Sequence, residues 1–296
     1  MRILVTGSTG LIGNALIPAL EAEGHEVVRL VRAQPKAGEV RWDPAKGSID
    51  AGALEGLDAV VHLAGENISE GRWTDEKKAR IRDSRVEGTR ILSEALAGLS
   101  SPPKVLVAAS AIGFYGNRGE EVLTEQSASG NDFLSEVCRE WELATRAAAE
   151  KGMRVVNLRF GVILSEKGGA LAKMLTPFKL GVGGKVGDGS QYMSWIDLDD
   201  VVGVIMFALK HDEMRGPVNV VAPSPVTNQE FTKAMGEALS RPTFFPVPAF
   251  AARLAFGEMA DALLLSSIRV EPARLKEAGY VFKYPQLEES LQHNLK

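Results

Sequence analysis

Thr6-Gly7-Ser8-Thr9-Gly10-Leu11-Ile12-Gly13 follows directly on the apolar run Ile3-Leu4-Val5. These residue types at this spacing suit the binding of a pyrophosphate. Gly7 permits a tight turn after a strand, Gly10 lets the backbone approach phosphate oxygens, and Gly13 lets a helix pack close to that strand. A helix starting at Leu11 would aim free N–H groups and the positive end of its dipole at the anion. Ser8, Thr9 and Ile12 belong to the same cradle. A second group bears on which dinucleotide fits. The end of the second strand reaches the adenosine ribose, where a carboxylate favours a free 2′-hydroxyl and a basic residue favours a 2′-phosphate. Here the strand ends Leu30-Val31-Arg32 without a carboxylate. A guanidinium pairs with phosphate bidentately. The expected cofactor is NADP(H) in preference to NAD(H).

Alternating strand and helix signals supply the elements that must position these groups. Strand 2–6 leads into a helix over 11–23, and strand 25–31 follows Gly24. A short extended piece lies at 39–42 and a buried-type strand at 58–63. A long helix is expected over 75–97 with Thr74 as N-cap. Strand 104–109, helix 133–151 and strand 153–158 complete the alternation. Continuous β-branched runs between amphipathic helices predict an α/β fold, a doubly wound parallel sheet of Rossmann type. The second half is less regular. Glycines at 168–169 and 181–184 flank a helical piece, a helix is expected at 199–209 and a return strand at 218–221. Thr227-x-x-Glu230 is a capping box opening a helix to about 239. These signals divide the chain into a dinucleotide-binding domain, 1–164 and 196–222, and a smaller mixed C-terminal lobe, 165–195 and 223–296. The lobe is expected to cover the cofactor cleft on its substrate side. Phe178, Tyr192 and Trp195 are the aromatics that point to such a cleft.

Composition narrows the function classes. The 296 residues carry a formal net charge of -4, which gives no reason to expect nucleic acid or an anionic membrane as partner. The single cysteine, Cys138, allows no intrachain disulfide and suits a reducing compartment. No apolar run has the length of a bilayer span, and the expected location is cytoplasmic. The four histidines share no ligand spacing, so no metal is expected.

Several motifs in order give the chain a family resemblance. They are the glycine turn, Asp58-Ala59-Val60-Val61-His62-Leu63-Ala64-Gly65, Gly88-Thr89-x-x-Leu92, Tyr115-Gly116 and Trp195-Ile196-Asp197-x-x-Asp200-Val201. Together they resemble the extended, epimerase-like branch of the short-chain dehydrogenase/reductase superfamily, over nearly the whole chain. Ala64-Gly65-Glu66-Asn67-Ile68, Ser84-Arg85, Trp141-Glu142, Pro223-Ser224-x-x-x-Thr227-Asn228-x-Glu230-Phe231 and the tail Arg269-Val270-x-Pro272-x-Arg274-Leu275 resemble an atypical subgroup, the epimerase family proteins, which has a small C-terminal domain. The resemblance places Leu63, Ala64, Gly65 and Glu66 against the cofactor, makes His62 a strand residue rather than a catalyst, brings Arg85 in from the long helix and sets Ile163 beside the nicotinamide. Extended relatives often dimerise through two long helices. The heavy charge of 75–97 argues against that dimer here, and the oligomeric state stays open.

The resemblance breaks at the chemistry. The superfamily uses a Tyr-x-x-x-Lys pair with a preceding Ser or Thr. With Glu142 as marker, Leu134 stands at the Tyr position and Cys138 at the Lys position. Ser110 or Ala111 fills the hydroxyl position, depending on alignment. Ser110, Tyr115 and Glu66 are the substitute candidates for acid/base work, each with a structural role as the plainer alternative. Two functions therefore stand side by side. One is an NADP-dependent oxidoreductase or epimerase acting on a small carbonyl or sugar-type substrate. The other is a non-catalytic NADP(H)-binding sensor or scaffold.

Overall fold

The computed structural model describes residues 1–295. An eight-stranded sheet runs in the order Gly216–Val220, Arg154–Phe160, Val105–Ala111, Ala59–His62, Arg2–Thr6, Glu26–Val31, Glu39–Asp43 and Ser48–Ile49. All neighbouring pairs are parallel except the last, which is antiparallel. The first strand thus lies in the interior, where the chain order reverses. In open α/β sheets ligands bind at the carboxyl ends of the strands beside that point.

Both faces of the sheet are covered, so its strands are apolar throughout rather than alternating. Ile3 and Val5 pack on one face with Leu16, Leu20, Val201 and Ile205, from the helices Leu11–Ala22 and Leu198–Lys210. Leu4 and Val60 pack on the other with Leu92 and Leu96, from the helix Asp75–Ala97. Thr74 caps that helix as expected, its hydroxyl accepting from Lys77 N at 3.2 Å. The capping box also forms: Glu230 N donates to Thr227 Oγ1 at 3.2 Å and Thr227 N to Glu230 Oε2 at 2.7 Å.

One element differs from the sequence reading. The helix expected over 133–151 is two helices, Phe133–Leu143 and Arg146–Glu150. Ala148 N donates to Ser93 Oγ on the long helix at 2.9 Å. Thr145 Oγ1 donates to Glu142 O at 2.7 Å. These bonds take backbone groups near the break into side-chain pairing that competes with the helix ladder.

A third buried cluster joins Leu164, Leu171, Phe178 and Trp195 to Phe231, Met235, Leu287 and Leu291. Phe178 and Trp195 are core residues there, so they do not mark a substrate cleft. Trp195 is fully buried and its indole donates to Ser224 O at 2.9 Å.

Candidate cofactor and catalytic site

The glycine turn has the backbone that the residue types predict. Gly7 has φ +64°, and a Cβ on it would stand 2.8 Å from the Leu63 carbonyl carbon and oxygen. A Cβ on Gly13 would lie 2.4 Å from Gly7 O. Both positions exclude any larger residue. Gly10 donates to Gly7 O at 3.0 Å and begins the Leu11–Ala22 helix, with no side chain capping it. Asn14 Nδ2 braces the turn by donating to Thr9 O at 3.0 Å, and Ser8 is buried beneath it. The first N–H groups of a twelve-residue helix are thus left for an anion.

Leu63 and Ala64, beside Gly7, are held by a buried polar chain. Thr6 Oγ1 accepts from Leu63 N at 2.9 Å and from Ala64 N at 3.1 Å. Both its lone pairs are then engaged, so its proton goes to His62 Nδ1, 2.8 Å away. His62 therefore carries its own proton on Nε2 and donates it to Thr89 Oγ1 at 2.9 Å. Thr89 Oγ1 also accepts from Trp141 Nε1 at 2.9 Å. Burial pushes the His62 imidazolium down to about pKa 4. His62 is a strand-end residue with a structural task, as the sequence implied. Thr89 was legible only as part of Gly88-Thr89.

Beyond Ala64, Gly65 lies against Arg85: a Cβ there would meet Arg85 Cζ at 3.3 Å. Arg85 donates through Nη2 to Glu66 O and through Nη1 to Ile81 O, each at 3.0 Å. Its guanidinium carbon sits 5.1 Å from the Trp141 ring centroid. Burial lowers its pKa, with Glu66 among the charges opposing that. The Glu66 carboxylate faces the other way, onto Lys77 Nζ at 2.8 Å and Arg80 Nε at 3.6 Å. Lys77, then Arg80, holds its pKa below the usual range. A carboxylate so paired is a weak base.

Ile163 lies on the strand Val162–Leu164, which pairs in parallel with Trp195–Asp197. Like Ile12 and Leu63, it is partly buried against the first of the two cores flanking the sheet. The chain then returns to the cradle: Cβ atoms on Gly168 and Gly169 would touch the Leu11 side chain at 3.4 and 3.3 Å. The structure thus sets Leu63 and Ala64 beside Gly7, Gly168 and Gly169 beside Leu11, and Arg85 against Gly65 and Glu66. Arg32 is exposed just past the Glu26–Val31 strand, where Leu30 pairs with Thr6. Its side chain has no hydrogen bond or ion pair among the described residues.

Ser110 and Tyr115 fall into one buried network. Ser110 Oγ donates to Glu142 Oε1 at 2.8 Å. Arg159 binds both Glu142 oxygens, Nε to Oε1 at 2.7 Å and Nη2 to Oε2 at 2.8 Å. Arg159 Nη1 donates to the Tyr115 hydroxyl at 2.9 Å, and that hydroxyl donates to Asn219 Oδ1 at 2.6 Å. Tyr115 is fully buried, and burial raises its pKa despite Arg159. Both hydroxyls are fixed inside the protein rather than turned to a substrate. Arg159 carries no sequence signal, since nothing in Leu158-Arg159-Phe160 marks a buried cation. Leu134 packs 3.4 Å from where a Gly113 Cβ would be, with Cys138 Sγ at 3.8 Å. Burial, and next Glu142, pushes the Cys138 thiol up to about pKa 12. The positions that would carry Tyr and Lys are therefore apolar.

Asp197, Asp199 and His293 bring possible metal-ligand atoms within 4.8 Å of one another. Asp197 already accepts from Asp199 N, Ser290 Oγ and Asn294 Nδ2, and Asp199 pairs with Lys283 at 2.5 Å. The chemistry of this cluster is that of a helix cap and an ion pair. No helix among the described residues is long and apolar enough to cross a membrane.

A glycine turn after an interior strand, an uncapped helix start and a parallel sheet reversing beside it define a Rossmann-type fold with a dinucleotide cradle. The chain belongs to the NAD dependent epimerase/dehydratase family, whose sequence model matches residues 3–221. Residues 247–293 match a domain of unknown function, DUF1731. The chain is 45% identical to Epimerase family protein Mb2239 of Mycobacterium bovis over 290 residues, 98% of this chain and 96% of that one. It is 38% identical to human Epimerase family protein SDR39U1, covering 99% of each. The crystal structure of human SDR39U1, isoform 2, with NADPH superposes with a TM-score of 0.93 at 37% identity, covering 100% of this chain and 99% of that one. MoeE5 in complex with UDP-glucose and NAD gives a TM-score of 0.78 at 21% identity, over 100% of this chain and 97% of that one, a likeness of fold.

Proposed function

We propose that this chain is an NADP(H)-binding protein that supplies no side-chain acid or base to a substrate. The observation that carries this reading is the contrast between cradle and chemistry. Gly7 and Gly13 stand where a Cβ would strike the backbone of Leu63 and of the turn itself, so only glycines close this turn, and the helix behind it is uncapped. Leu134 and Cys138 meanwhile occupy the expected positions of the proton donor and its lysine, and Ser110, Tyr115 and Glu66 are bound to protein groups.

The residues present fit the dinucleotide. Helix N–H groups from Leu11 to Gly13 would hold the pyrophosphate. Leu63, Ala64 and Gly65 would lie along the adenosine side. Arg32, without a hydrogen bond or ion pair among the described residues, would take the 2′-phosphate and set the preference for NADP(H). NADPH bound to human SDR39U1 supports this choice. Ile163 would border the nicotinamide. The cofactor's own chemistry is hydride transfer. This chain's residues bind and orient it, and any proton accompanying a hydride would have to come from water or substrate.

The test is oxidation of NADPH, followed by absorbance, against a panel of carbonyl compounds and nucleotide sugars. Tight cofactor binding without turnover is expected. Rapid turnover of one panel member would replace this reading with that of an oxidoreductase or epimerase.

A further inference from the structure

Lys173 and Ser69 bridge the two walls of the cofactor cleft. One wall is the segment after the Ala59–His62 strand, which starts against Gly7 at Leu63 and Ala64. The other runs through Ile163 to Gly168 and Gly169, where a Cβ would meet the Leu11 side chain at 3.4 and 3.3 Å. Lys173 sits one turn into the helix Gly169–Lys179. Its ammonium donates to Ser69 O at 2.9 Å and to Ser69 Oγ at 2.7 Å. The Lys173–Ser69 contact thus ties the segment that leaves Gly7 at Leu63 to the segment that passes Leu11 at Gly168 and Gly169.

Ser69 is prepared for this contact. Asn67 Oδ1 accepts from Ser69 N at 3.0 Å and from Ser69 Oγ at 2.9 Å, and Asn67 Nδ2 donates to Glu70 Oε1 at 2.7 Å. Trp73 Nε1 donates to Ile68 O at 2.8 Å, so the turn is braced from both sides. Lys173 differs from Lys77 and Lys78, which have the carboxylates of Glu66 and Glu258. Its partners are neutral oxygens, and the contact is exposed to solvent. Such a bond is weak enough to break often and strong enough to bias a loop.

We propose that Lys173 and Ser69 form a latch that gates passage of the dinucleotide into and out of its cradle. This rests on the cofactor reading above. Both halves of the latch are protein groups, so its opening precedes entry as well as exit. Removing it should therefore raise the association and dissociation rate constants together and leave Kd nearly unchanged.

Stopped-flow fluorescence of NADPH tests this, with a chase of excess NADP+ for release. Lys173→Met keeps the aliphatic stem and removes the donors. It should raise both rate constants about ten-fold while Kd stays within two-fold. Ser69→Ala removes one of the two acceptors and should fall between wild type and Lys173→Met. A higher Kd with an unchanged association rate would overturn the latch and make Lys173 a phosphate ligand. Unchanged rates in both variants would overturn it outright while leaving cofactor binding intact. Failure of the wild-type protein to bind NADPH would remove the cofactor reading, and the latch with it.

Discussion

Thr6 and His62, neighbours across two parallel strands, share a proton whose position is fixed by the backbone beside them. Thr6 Oγ1 receives Leu63 N and Ala64 N, so it can only donate to His62 Nδ1. The cleft wall at Leu63 and Ala64 thus depends on a neutral imidazole.

That dependence has a pH signature. Burial takes the folded-state pKa of His62 from 6.5 to about 4. Between those values the unfolded chain binds the proton and the folded chain does not. The stabilisation is complete above about pH 6.5 and is lost as pH falls toward 4. The loss should be roughly 3 kcal/mol. Denaturant unfolding from pH 7 to 4.5 measures it, and His62→Gln should flatten the curve over this window.

Gly13→Ala should disable the cradle. The new methyl would lie 2.4 Å from Gly7 O, with Ser8 Cα at 2.8 Å, and this backbone of the turn cannot yield cheaply. An overpacking cost of about 1–3 kcal/mol is expected, with the turn displaced. NADPH affinity should fall at least ten-fold by titration, while far-UV circular dichroism stays that of the wild type.

Glu142→Gln should destabilise the fold more than any surface change. The Arg159–Glu142 pair is 2.7 Å long with side chains only 4% and 13% exposed. Removing one charge leaves a buried guanidinium short of its partner, a loss of about 3–5 kcal/mol. The urea midpoint should drop with an unchanged slope.

Cys138 should be inert in the native state. It is buried, and its thiol pKa of about 12 leaves almost no thiolate at neutral pH. Reaction with an aromatic disulfide reagent should follow the unfolding rate and become fast only in denaturant.

These residues also separate what the sequence reveals from what it hides. The glycine turn, the Thr74 cap and the Thr227–Glu230 box are made by residues a few positions apart, so their types and spacing state their geometry. The family pattern likewise locates Leu134 and Cys138 at the chemical positions. The network that engages Ser110 and Tyr115 has no such signal. Its bonds join residues 17, 32, 44 and 104 positions apart. The break after Leu143 is hidden for the same reason, since Ser93 reaches Ala148 from 55 positions away. Phe178 and Trp195 show a further limit. The type of an aromatic residue does not say whether it lines a cleft or fills a core, and only the helices Asn228–Leu239 and Leu287–Leu295 packing on these two decide it.

Arg32 is where the proposal is most exposed to contradiction. It has no hydrogen bond or ion pair among the described residues and stands just past the strand end that, in this proposal, would reach the adenosine ribose. A charge-assisted pair with the 2′-phosphate contributes about 1.5–3 kcal/mol, or roughly ten- to hundred-fold in affinity. Parallel titrations of NADPH and NADH into the wild-type protein and Arg32→Ala measure that difference directly. The proposal predicts that the wild type prefers NADPH by at least ten-fold and that Arg32→Ala removes most of the preference without weakening NADH. Equal affinity for the two dinucleotides, or a preference for NADPH that survives Arg32→Ala, would contradict it.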